Sequence, residues 1–227
     1  MRAKEVIEAL SIDCLIFGFR DAKLHVLLIK HAEGIRKGKW GLPGGWVRYD
    51  ESLDHAAYRL LNDLTGVKNI YLEQLKAFGD PARYPGQRVI TIAYYALVKA
   101  DNYQILPGFT ASDAHWFDVN AFPPLIYDHE EVFRYGFAQI QHKVRHQPIG
   151  FNLLPEKFTL LQLQTLYEAI LGVKLDKPNF RRKILNMNLL VDTREKQQNV
   201  SHRAANLYRF DENVYKQLLN KGFSFEL

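Results

Sequence analysis

The stretch from Trp40 to Val67, WGLPGGWVRYDESLDHAAYRLLNDLTGV, constrains the fold of this 227-residue chain more than any other. Its Gly- and Pro-rich start must turn before it enters a short strand. After a charged loop, Leu53, Ala56, Ala57, Leu60, Leu61 and Leu64 recur at the spacing of one helix face, and Gly66 suits that helix's C-terminus. The flanks read as a sheet. Residues 11–19 and 24–30 are strands around a short turn at Arg20–Lys23, hence a hairpin. Residues 70–79, 88–100 and 114–119 are further strands, the middle one long and central, and residues 128–147 form a second helix. Residues 1–148 are therefore expected to be one mixed α/β domain.

Residues 149–227 carry a different pattern. PIGFNLLPEK, from Pro148, reads as a linker. Thr159 with Gln162 makes a capping-box pair, and Phe158 with Leu163 is placed as a hydrophobic staple, so a helix starts at 160. A second helix follows, with Pro178 near its start. Residues 189–192 and 204–210 read as strands flanking the polar run TREKQQNVSHR, a long basic hairpin, and a short helix over 212–222 closes the chain. Two helices, a turn and a basic hairpin make a winged helix-turn-helix.

Composition narrows the function classes. With 47% hydrophobic and 24% charged residues, and no run of eighteen apolar residues, the chain reads as a folded protein without a membrane span. MRAKEVIEAL lacks a signal-peptide core. The single cysteine, Cys14, excludes an intramolecular disulfide and a Cys-rich zinc site. It reads as a buried small hydrophobe, and a cytoplasmic address is expected. The net charge of +5 is uneven: residues 177–209 carry about +6, leaving the rest near −1. A basic cluster in a near-neutral chain points to a polyanion partner at that place.

From Gly45 to Val67 the sequence resembles the Nudix box, GX5EX7REUXEEXGU with U apolar. Gly45, Glu51, Arg59, Leu61, Gly66 and Val67 fall on its positions, and WGLPGG resembles the usual approach to it. The resemblance implies a Nudix-like α/β/α sandwich with a mixed sheet. In that family the helix glutamates hold Mg²⁺ against a diphosphate. Here those positions hold Leu60, Asp63 and Leu64. Leucine offers no donor atom, and hard cations need several oxygens. Glu51 and Asp63 are read as vestiges, with no catalytic residue, metal or cofactor expected. The leucines either extend the packed stripe or line a cavity that has lost its metal; both readings imply lost hydrolysis.

The whole layout resembles the NrtR-like group, Nudix-related transcriptional regulators with a C-terminal winged helix; the segments YDHEEVF, FTLLQLQTLYEAILG and NFRRKIL also carry the likeness. It implies a homodimeric repressor or activator that binds a palindromic operator on double-stranded DNA and senses a small-molecule effector. That effector is ADP-ribose in the branch that regulates NAD synthesis, while other branches answer to sugar catabolism. A sugar or sugar phosphate needs no metal, so the depleted box tilts the expectation that way. Effector candidates are Arg48, Tyr49, Asp80, Arg83, Tyr84 and Arg88: Arg for phosphate, Asp for hydroxyls, Tyr for stacking. On the second helix of the C-terminal part, Phe180, Ile184 and Met187 share one side, and Asn179, Arg182, Lys183 and Asn186 the other. Arg suits guanine and Asn suits adenine in the major groove. Arg181 at the boundary and the hairpin residues Arg194, Lys196 and Arg203 suit backbone contacts. The alternative is an active Nudix pyrophosphatase using Asp63, Glu51 and another acid.

Overall fold

A computed structural model describes residues 9–108, 110–198, 201, 203–223 and 225–226. Asn199, Val200 and His202 of the expected hairpin lie outside the described residues. The chain divides into two compact units. The first runs through Arg20 and again over Leu24–Phe137; the second takes Ala138 onward together with Asp21–Lys23.

In the first unit, β1 (Ala9–Arg20) and β2 (Lys23–His31) are neighbours, joined where Asp21 and Ala22 both take positive φ. That pair of left-handed residues matches the twist of a tight hairpin. The remaining strands are β3 (Trp40–Gly41), β4 (Gly44–Trp46), β5 (Glu73–Phe78), β6 (Val89–Lys99) and β7 (Ala111–Asp118). The sheet order is β3-β2-β1-β6-β5, with β4 on β1 and β7 on β2. β1 and β6 are parallel from Ala9↔Val89 to Phe19↔Lys99, and β5–β6, β1–β4 and β2–β7 are antiparallel. The sheet is therefore mixed, as expected.

Alternation along β1 assigns its two faces. Ile12, Cys14 and Ile16 join the core beneath helix α1 (Leu53–Thr65), with Ala56, Ala57, Leu60 and Leu61. Cys14 is fully buried and its thiol is pushed up by desolvation, as suits a small core residue. On the other face Phe17 meets Phe133 and Phe137 of helix α2 (His129–His146), at ring separations of 6.0 and 5.9 Å. Helices on both faces make the α/β/α sandwich. Ser52 caps α1 by accepting the His55 N–H, and Gly66 ends it in the left-handed region at φ 73°. The tyrosines of β6 are core: the hydroxyls of Tyr94 and Tyr95 donate to Asp54 and Glu73 at 2.6 and 2.7 Å.

In the second unit, Thr159 and Gln162 form the full capping box at the start of α3 (Leu160–Leu171), and Phe158 and Leu163 are 1% and 0% exposed. The turn to α4 (Lys177–Asn186) is held by Glu168, which accepts the Leu175 N–H at 3.0 Å. That backbone bond lowers the Glu168 pKa. Strands β8 (Leu190–Lys196) and β9 (Asn206–Phe210) form the wing, and Phe158 makes an isolated antiparallel bridge to Tyr208. Helix α5 (Glu212–Leu219) follows. The segment read as a linker is in fact core: Phe151 and Leu153 are buried, and Phe151 stacks on Phe210 at 4.3 Å. Its apolar residues make it part of the second unit's interior.

Candidate effector site and nucleic-acid interface

The Gly/Pro turn places its residues by close approach. The Cys14 N–H donates to the Pro43 carbonyl at 2.7 Å. A Cβ at Gly44 would overlap the Ile12 carbonyl oxygen, and one at Gly45 would lie 2.7 Å from a Leu60 methyl. At Gly44, where the obstacle is backbone, only glycine lets the turn lie this close to β1.

Beside this turn lies a cavity of about 420 Å³, a size that suits a small-molecule ligand. Leu60 and Leu64 line it while also packing in the core at 8% and 6% exposure. The two readings of these leucines are thus not exclusive. Of the surviving acids, Glu51 is held by Arg59, whose Nε donates at 2.8 Å, and by the Arg48 N–H at 2.8 Å. The Arg59 hydrogen bond brings Glu51 down to about 2. Asp63 lies 3.9 Å from the same guanidinium, on a side chain 46% exposed. Two leucines and a carboxylate already bound to arginine do not fit a divalent cation, which needs free oxygens and no adjacent positive charge. Among the described residues, no group of three or more His, Cys, Asp or Glu is placed to hold a metal.

The Glu51–Arg59 pair has a measurable signature. A carboxylate whose folded pKa is depressed contributes stability above its unfolded pKa, near 4.3, and loses it as pH falls toward the folded value. The stability gap between wild type and Glu51→Gln is expected to be full at pH 6 and to close between about pH 4.5 and 2. Urea unfolding midpoints across that range check it; a gap independent of pH contradicts the pairing.

The deep wall is ionic. Arg83, from the loop before β6, donates through Nε and Nη2 to Asp128 at 2.7 and 2.9 Å, and through Nη2 to Asp13 at 3.2 Å. Asp13, Arg83 and His129 are 5%, 8% and 6% exposed. The Leu42 N–H donates to Nδ1 of His129, so the ring proton sits on Nε2, 3.6 Å from Asp13. Burial lowers His129 and takes His31 down to about 4. Both rings are neutral near pH 7, so the cavity's positive charge is arginine's alone. Tyr127 takes φ 51°, a strained value for a bulky residue, and so turns Tyr127 and His129 to the cavity while Asp128 meets Arg83. At the mouth, Tyr84 and Tyr127 lie 4.8 Å apart, Trp46 meets Tyr84 edge-on at 5.8 Å, and Arg36 lies over both tyrosines at 5.8 and 5.6 Å.

Of the residues singled out from sequence, Arg48, Arg83 and Tyr84 line this cavity. The other three lie off its wall. Tyr49 is fully exposed. Asp80 accepts the Ala82 N–H, and Arg88 donates to the carbonyls of Gly79 and Asp80, so both hold their own loop together. Asp13, Arg36, Trp46, Tyr127 and His129 were missed. Asp13 left a signal, an acid inside an apolar strand that must find a buried partner.

On α4, Phe180 and Ile184 are buried, Met187 is half-buried, and Asn179, Arg182, Lys183 and Asn186 are exposed together. Asn179 accepts from Arg182 at 2.8 Å. In the wing, Arg194 sits on a bulge at φ 59° and is exposed, as are Lys196 and Arg203. The helix and the wing thus bring basic and amide groups to the surface of one unit.

Residues 9–136 match the model of the NUDIX domain, and residues 150–210 match that of the NrtR DNA-binding winged helix domain. The ADPR-responsive transcriptional repressor NtrR of Acinetobacter baylyi is 32% identical over 205 residues, 88% of this chain and 81% of that protein. The chain belongs to the NrtR family of transcriptional regulators. Shewanella oneidensis NrtR in complex with a 27mer DNA is similar over 95% of this chain and 97% of that one, at 29% identity and TM-score 0.73. The NUDIX domain of the same NrtR complexed with ADP ribose covers 61% of this chain and 92% of its own, at 29% identity and TM-score 0.56. As an NrtR-family member the chain joins a Nudix effector domain to a winged-helix DNA-binding domain.

Proposed function

We propose that this regulator senses an ADP-ribose-type nucleotide in the Nudix cavity without hydrolysing it, and that a homodimer reports the outcome at a palindromic operator. One observation carries the loss of hydrolysis: positions 60 and 64 are buried leucines on the cavity wall, and Glu51 is bound to Arg59. The missing carboxylates by themselves favour an uncharged sugar. The cavity's chemistry outweighs that tilt. Arg36 and Arg48 outnumber Glu33 on the outer wall, which suits a diphosphate, and Trp46, Tyr84 and Tyr127 offer faces for a base. The A. baylyi and S. oneidensis relatives support the same effector class. Arg48, Arg83 and Tyr84, joined by Arg36, Trp46 and Tyr127, are its proposed contacts. Asn179, Arg182, Lys183 and Asn186 are proposed to meet base edges, with Arg181, Arg194, Lys196 and Arg203 on the backbone.

ADP-ribose at about a hundred times its Kd is expected to stabilise the protein by about 2.7 kcal/mol with EDTA present. For a chain of this size that is a rise of roughly 5–10 °C in Tm. Chromatography of the same mixture with Mg²⁺ or Mn²⁺ is expected to recover ADP-ribose intact. Turnover that is lost in Asp63→Ala instead establishes the pyrophosphatase reading. A larger shift from pentoses or pentose phosphates than from ADP-ribose moves the effector to the sugar class.

A further inference from the structure

We infer that His142 and His146, on the exposed side of the last turn of α2, form a two-imidazole site for a late first-row divalent cation of the Zn²⁺ and Cu²⁺ class. The pair shares no residue with the effector cavity, and its ion is not the Mg²⁺ of the Nudix box.

Four residues make one turn of helix, so the two rings leave the same face one above the other. Their centroids are 4.4 Å apart and their planes meet at 34°. On the opposite side Ile140 and Val144 are both 0% exposed, which holds this turn of backbone in place. A tetrahedral ion about 2.0–2.1 Å from each of two nitrogens keeps those nitrogens about 3.3 Å apart. Both rings are exposed, and rotation about their side-chain bonds brings them to that spacing. Because both donors come from one anchored turn, little chain has to be ordered when the ion binds.

The tautomer supplies the second observation. Nδ1 of His146 lies 2.8 Å from the His142 carbonyl oxygen. A carbonyl only accepts, so Nδ1 carries the proton, and the neutral ring keeps its lone pair on Nε2. A carbonyl on one ring nitrogen is the arrangement that orients an imidazole toward a metal on the other. The His142 ring meets His146 and makes no hydrogen bond among the described residues, so its lone pair is also available. Imidazole nitrogen suits Zn²⁺ and Cu²⁺, whereas Mg²⁺ takes oxygen.

The surroundings accept positive charge. The last turn of a helix carries the negative end of its dipole and carbonyls without helical partners. Lys143 and Arg145 each lie about 100° around the helix from the adjoining histidine. Arg145 Nη1 donates to the Gln141 carbonyl at 3.2 Å, and Lys143 is half-buried. Among the described residues no third His, Cys, Asp or Glu joins the pair, so water completes the shell and the affinity is modest.

The test uses the full chain without an affinity tag, in a buffer that binds no metal. Isothermal titration is expected to give one Zn²⁺ per chain with a Kd of about 1–100 µM, tighter binding of Cu²⁺, and no heat from Mg²⁺ at the same concentrations. His142→Ala and His146→Ala are each expected to weaken Zn²⁺ binding by at least about tenfold, and His55→Ala on α1 to leave it unchanged. All three side chains are exposed, so circular dichroism is expected to show the wild-type fold in each variant. Electron paramagnetic resonance of the wild-type Cu²⁺ complex is expected to show two imidazole nitrogens on the ion. A spectrum with fewer overturns the site without recourse to any variant. So does a wild type that binds no Zn²⁺ at about 1 mM, or either histidine variant that keeps wild-type affinity. One ion per two chains overturns the single-turn site and places the ion between copies.

Discussion

Reversing the charge of Arg182 and Lys183 together, to glutamate, is expected to lower operator affinity by about three orders of magnitude. Phe180 and Ile184 bury one side of α4 at 4% and 2% exposure, which presents Arg182 and Lys183 outward. A correctly placed fork on a base is worth about 1–3 kcal/mol, and every 1.4 kcal/mol is tenfold. Two lost contacts, compounded by two carboxylates facing phosphates, reach that loss. Both side chains are exposed, so the fold is expected to change by no more than about 0.5 kcal/mol. Anisotropy measures the affinity and thermal unfolding the fold. A loss under tenfold, with the fold intact, removes α4 as the reading helix.

The largest stability effect is expected at Arg83. Arg83→Met is expected to cost about 3–5 kcal/mol, because it leaves Asp13 and Asp128 in the interior without their cation. Their side chains are 8% and 14% exposed, so hydration compensates only part of the lost guanidinium. In a protein of this size the loss lowers Tm by roughly 10 °C. Adding Asp13→Asn and Asp128→Asn to Arg83→Met is expected to recover part of it, since the penalty belongs to the uncompensated charges. The single variant is also expected to lose its thermal response to ADP-ribose, because Arg83 forms the deep wall of the cavity. Calorimetry of the single and triple variants decides: equal melting temperatures mean the buried cluster is not what holds this wall.

Local signals were legible. The capping box at Thr159, the staple of Phe158 and Leu163, the left-handed Gly66 and the stripe of α1 depend on residues within a few positions of each other. Short-range chemistry of this kind is written in the chain itself. The same holds for the faces of α4, which follow from helical periodicity. Phe151 and Leu153 were misread because a Pro- and Gly-flanked run looks like a linker whenever the surface it packs against is formed by distant strands. Asp80 and Arg88 lie off the cavity wall for a related reason. Their residue types suit a ligand, but backbone carbonyls and N–H groups of their own loop, invisible in composition, claim them first.

By itself the amino-acid order determined the elements, their capping, the two-part organisation, the family box and the loss of its carboxylates at positions 60 and 64. It also placed the basic charge in residues 177–209. Tertiary structure alone decided which side chains meet. Asp13, Arg83 and Asp128 become one buried cluster across separations of 70 and 45 residues, and Arg36 comes to lie over Tyr84 and Tyr127. The reason is physical. Capping and periodicity are set by covalent neighbours, whereas a buried charge network exists only after the sheet has brought remote segments together and excluded water from between them.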